Sequence, residues 1–127
     1  MTFIETLHTH LQAIQQRDID TFLATLTTEE ALSVILPNGT LFETRTGFVE
    51  FTRDWFADPD WQITVDLLRT VETTDMGLAL LAVTYDDRDP NGQPYQLQYY
   101  LSLVFVQQQG AWRLVHDQNT LLPTSKK

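Results

Sequence analysis

The stretch Trp112-Arg113-Leu114-Val115-His116-Asp117-Gln118-Asn119-Thr120 decides how the chain is read. Apolar and polar residues alternate along it, so it predicts a β-strand with Leu114, His116 and Gln118 on one face. If Leu114 faces the core, His116 and Gln118 face the same interior. A strand that ends in such polar residues points to a cavity rather than a sealed core.

Working back from that strand, the C-terminal half of the chain is β. Tyr95 to Gln108 predicts a long strand, joined to the last by a turn at Gln109-Gly110. Leu78 to Asp86 predicts another. Trp61, Ile63, Val65, Leu67 and Val71 alternate with polar residues in a further long strand, with Arg69 on its apolar phase. The N-terminal half is mixed. Thr2 and Glu5 form a capping-box signature, followed by an apolar stripe that predicts a helix over 3–16. Asp18 caps a second short helix. Residues 31–36 and 40–44 predict a hairpin around Asn38-Gly39, where both residues tolerate positive φ. Thr46 and Gly47 open a third helix, which Asp58-Pro59-Asp60 stops. Helices first and long antiparallel strands afterwards define an α+β fold, with the helices on one face of a curved sheet of about six strands.

Composition sets limits on function. The chain has 127 residues, fitting one domain over 1–122 with a tail at 123–127. There is no cysteine, which excludes disulfides, thiolate metal sites and a cysteine nucleophile and suits a cytoplasmic location. A net charge of −9 with scattered basic residues disfavours nucleic acid and anionic membranes as partners. No apolar run approaches the roughly 20 residues of a membrane span. Asp87, Asp89, Asn91 and Gly92 copy the start of a calcium loop, but Gln98 stands where the closing Glu belongs. The segment therefore reads as a hairpin loop, and neither a metal nor a cofactor is expected.

Two pieces, Arg17-Asp18-Ile19-Asp20 and the closing Trp112 to Thr120, carry a resemblance to the nuclear-transport-factor-2-like superfamily. Within it the chain is similar to the SnoaL-like, ketosteroid-isomerase-like and calmodulin-kinase-association-domain-like branches. The resemblance implies a cystatin-like cone, a pocket between helices and sheet, and commonly a homodimer through the sheet's outer face. Many relatives have a second His where this chain has Gln118. By the same resemblance, the ketosteroid isomerases' general-base Asp falls at Leu36 or Ile35, and their oxyanion-donor Tyr near His10. Their protonated Asp falls near Tyr100 to Ser102. The carboxylate base is thus missing from its usual place.

The residues expected at the site are His116 as an acid or base, with Gln118, Tyr99, Trp55 and His10 contacting a ligand. Imidazole titrates near neutrality, an amide both donates and accepts, and aromatic rings cover apolar ligands. Two functions fit. One is a pocket protein for a small, largely apolar ligand, with or without isomerase- or cyclase-like acid–base chemistry. The other is a homodimeric association module. Leu68, Tyr100, Val104 and Val106 interrupt the polar phase of the strands and leave the outer face partly apolar.

Overall fold

The structure is a computed structural model that describes residues 1–123; most of the expected 123–127 tail lies outside the described residues. Helices α1 (Phe3–Gln16) and α2 (Ile19–Ala24) lead into strands β1 (Ala31–Ile35) and β2 (Leu41–Thr44). Helix α3 (Arg45–Ala57) follows, then β3 (Gln62–Glu72), β4 (Met76–Arg88), β5 (Pro94–Gln108) and β6 (Ala111–Leu121). The six strands lie in the order β2-β1-β6-β5-β4-β3, and every pair is antiparallel except β1 with β6.

Helix α1 begins as the capping box requires. The Glu5 N–H donates to Thr2 Oγ1 at 3.1 Å, and the Thr2 N–H donates back to Glu5 Oε1 at 2.8 Å. The helix ends at Arg17, whose φ of 55° is left-handed. Asp18 then caps α2 by accepting from the Thr21 N–H at 3.2 Å. Arg17 ties this corner down. Its guanidinium donates to the backbone carbonyls of Asp58 and Trp61 and lies 3.9 Å from the Trp61 ring centroid.

The helices cover one face of the sheet. Phe3, Leu7 and Phe22 from the helices are buried with Leu81, Leu103, Phe105 and Leu114 from the strands. Each such side chain contributes about 1.5–3 kcal/mol when fully buried.

Two bulges change which residues face that core. In β3 the register passes from Leu67↔Leu81 to Arg69↔Leu80, leaving Leu68 as the extra residue. Arg69 and Val71 therefore move to the outer face, and Arg69 leaves the inward position that alternation predicts for it. In β6 the register passes from Leu114↔Phe105 to His116↔Val104, leaving Val115 as the extra residue. Trp112 and Leu114 face the helices before this bulge. Asp117 and Asn119 face them after it.

Candidate functional site

A cavity of about 390 Å³ lies between the helices and the sheet. Apolar walls come from Ile14, Phe22, Phe48 and Phe51 on the helices and from Val34, Leu97 and Leu101 on the strands. The polar lining is sparse. Asp117, Asn119 and Tyr99 come from β6 and β5, while Trp55 on α3, Tyr85 on β4 and Tyr95 on β5 complete the lining.

Asp117 is the chemically distinctive group. It is 9% exposed, and its Oδ1 accepts a hydrogen bond from Asn119 Nδ2 at 2.9 Å. The same Asn119 amide donates to the Ile35 carbonyl at 2.7 Å, which fixes its orientation. Burial pushes the Asp117 carboxyl up to about 7, with the Asn119 hydrogen bond opposing the shift. Near neutral pH both protonation states are then populated, as a general acid–base requires. Tyr99 is 6% exposed, and its hydroxyl has no hydrogen-bond partner among the described residues. Burial, and then the Asp117 charge, raise its pKa.

Towards the β4–β5 loop, Trp55 Nε1 donates to Tyr85 Oη at 3.4 Å, and Tyr85 Oη donates to Asp87 Oδ2 at 2.6 Å. Trp55 stacks on Trp61 with centroids 4.4 Å apart. Burial first, and the Asp87 hydrogen bond second, push the Tyr85 phenol up.

The sequence-derived residues divide. Tyr99 and Trp55 line the cavity. His116 and Gln118 do not, because the Val115 bulge turns them to the outer face. There His116 Nδ1 shares a 2.7 Å hydrogen bond with Ser33 Oγ, and His116 Nε2 lies 3.4 Å from Gln118 Oε1. His10 is fully buried in the core beside the cavity, stacked on Phe22 at 4.7 Å and edge-on to Phe105 at 5.6 Å. It belongs to the apolar stripe of Leu7, Leu11 and Ile14 rather than to the lining. The Thr25 hydroxyl donates to the Phe22 carbonyl at 2.6 Å, so it accepts from His10 Nδ1–H at 2.8 Å. His10 Nε2 is buried without a partner, and burial lowers the pKa to about 3.

Asp117 and Asn119 escape a reading by strict alternation. The available signal is Val115, an apolar residue directly after Leu114, which marks a break of phase. Among the described residues no cluster of His, Asp or Glu could hold a metal ion, and the Asp89 segment forms a tight turn instead, with its N–H donating to the Gln93 carbonyl at 2.9 Å.

Helices over a curved, mostly antiparallel sheet, with a cavity between them, define the nuclear-transport-factor-2-like superfamily. The chain belongs to the SnoaL-like domain family, whose model matches residues 4–122. Among solved structures it is similar to a ketosteroid isomerase-like protein from Erwinia carotovora atroseptica, with a TM-score of 0.77, 14% identity and coverage of 94% of this chain and 92% of that one. An uncharacterized protein with a cystatin-like fold from Caulobacter vibrioides gives 0.74 and 17%, covering 95% and 87%. The association domain of C. elegans CaMKII gives 0.66 and 22%, covering 92% and 91%. No sequence among the curated proteins matches this chain.

Proposed function

We propose that the cavity binds a small, largely apolar ligand and that Asp117 acts on it as a general acid–base. The supporting observation is a carboxyl that burial holds near neutrality inside an aromatic cavity. Asp117 would take a proton from a carbon beside a ligand carbonyl and return it at another position, while Tyr99 donates a hydrogen bond to the carbonyl oxygen. That is isomerase-like chemistry, with Asp117 in the role first assigned to His116. The absence of cysteine suits a cytoplasmic setting for this activity.

Two measurements test it. Binding of N-phenyl-1-naphthylamine, a neutral fluorescent probe, reports on the cavity. Proton exchange beside the carbonyl of 2-cyclohexenone in D₂O, followed by NMR, reports on the chemistry. Asp117→Asn is expected to reduce protein-dependent exchange by about 10²–10⁴-fold while the probe still binds. Probe binding without any exchange would remove the catalytic half of the reading. No probe binding would remove both halves.

A second reading, homodimeric association through the outer face, is supported by exposed apolar residues there. Val71 and Leu78 are opposite each other on β3 and β4, and Tyr100 lies on the same face of β5. Exposed apolar residues gathered on one face of a sheet favour a protein contact. Sedimentation at micromolar concentration is expected to give a dimer that Leu78→Asp weakens. A monomeric wild-type protein would count against this reading.

A further inference from the structure

The β4–β5 end of the cavity combines aromatic faces with carboxylate that forms no ion pair among the described residues. Trp55, Tyr85 and Tyr95 line it. Behind them, Asp87 accepts the Tyr85 hydroxyl at 2.6 Å and the Arg88 N–H at 2.7 Å. The carboxylates of Asp87, Asp58 and Asp89 also act on Tyr95. The guanidinium groups of Arg88 and Arg17 are engaged elsewhere. Arg88 donates to the Gly92 carbonyl at 3.0 Å, and Arg17 sits over Trp61, donating to backbone carbonyls. A tyrosine that donates its hydroxyl to a carboxylate presents a more electron-rich ring, which strengthens attraction for a cation over its face.

A second observation in the same cavity points to an occupant. Tyr99, 6% exposed, lines the same cavity, and its hydroxyl has no hydrogen-bond partner among the described residues. Tyr99 lies opposite Val83, and Tyr85 lies opposite Leu97, so the two are one inward-facing position apart along the strands. That spacing is about 7 Å of strand.

We propose that Trp55, Tyr85 and Tyr95, backed by Asp87, form an aromatic box for the amine or quaternary ammonium end of the ligand, whose apolar body extends past Tyr99. This inference rests on the cavity being a ligand site. It adds a substrate class to that reading: cationic amphiphiles with a hydrogen-bonding group on the apolar portion.

The test is competition against N-phenyl-1-naphthylamine with benzyltrimethylammonium and its neutral isostere neopentylbenzene. The cation is expected to displace the probe at least ~10-fold more effectively. The preference should shrink with added salt, because charge attraction near a surface is screened. Asp87→Asn should reduce it as well, since the amide still accepts from Tyr85 but carries no charge. Equal displacement by cation and isostere in the wild-type protein, at low and high salt, overturns the aromatic box and leaves the cavity reading intact. Failure of the probe itself to bind overturns both. The salt comparison needs no variant, so it decides the matter even if Asp87→Asn does not fold.

Discussion

Between about pH 7 and pH 5 the wild-type protein is expected to keep nearly constant stability, while Asp117→Asn loses about 2 kcal/mol over the same interval. Two buried groups oppose each other. The His10 pKa falls from 6.5 to about 3 on folding. The unfolded chain therefore binds the proton first, and stability falls as pH drops below 6.5. The Asp117 pKa rises from 3.8 to about 7 on folding. Here the folded chain binds the proton first, so its contribution is fully present below 3.8 and is lost as pH rises through 7. By pH 5 the His10 loss and the Asp117 gain are each about 2 kcal/mol and nearly cancel. Asp117→Asn removes the gain and exposes the His10 loss. His10→Phe removes the loss, so that variant should become more stable by about 2 kcal/mol on the same acidification. Urea unfolding at several pH values checks both slopes. A level profile for Asp117→Asn would show that His10 imposes no such loss, and a level profile for His10→Phe that the Asp117 carboxyl supplies no such gain.

The second large effect is expected at Gly77. A Cβ built there would lie 2.5 Å from two ring atoms of Phe3. That ring is the far end of a side chain, but it has no room to yield. Phe3 is fully buried and held against Phe105 and Trp112, at 5.7 and 5.4 Å between centroids. Gly77 pairs with Phe105 in the sheet, so moving the backbone would disturb β4 and β5 together. Gly77→Ala should cost about 3 kcal/mol, the upper part of the range for overpacking. In a chain of this size that lowers Tm by about 10 °C. Phe3→Leu in the Gly77→Ala background should recover part of the loss, because the smaller side chain vacates the contested space. Thermal unfolding of the two variants provides the check. Equal melting of Gly77→Ala and wild type would mean α1 does not press on β4 as described.

Much of the architecture is legible because local and global signals agree. Thr2, Glu5 and Asp18 mark helix starts that depend on side-chain caps within a few residues. Asn38-Gly39 marks a hairpin because Gly39 has a φ of 88°. Alternation along β4 and β5 survives intact over most of their length. The cavity is less legible, because it depends on sheet register, and register depends on partners far away in sequence. Leu68 and Val115 each add one residue to one side of a ladder. Composition does not announce this, and every side chain beyond the insertion changes face. His10 is a different case. Its position in the apolar stripe is readable, but its burial depends on Phe22, Thr25 and Phe105 closing around it.

The extra residue at Val115 gives the end of β6 something like a reading frame. Asp117 and Asn119 occupy one frame, and His116 and Gln118 occupy the other. Pairing Val115 with Val104, without the bulge, would bring His116 opposite Leu103 and exchange carboxyl and amide for imidazole and amide in the cavity. Deleting Val115 itself would instead leave Asp117 opposite Leu103, so the frame is set by the bulge together with the residue that fills it.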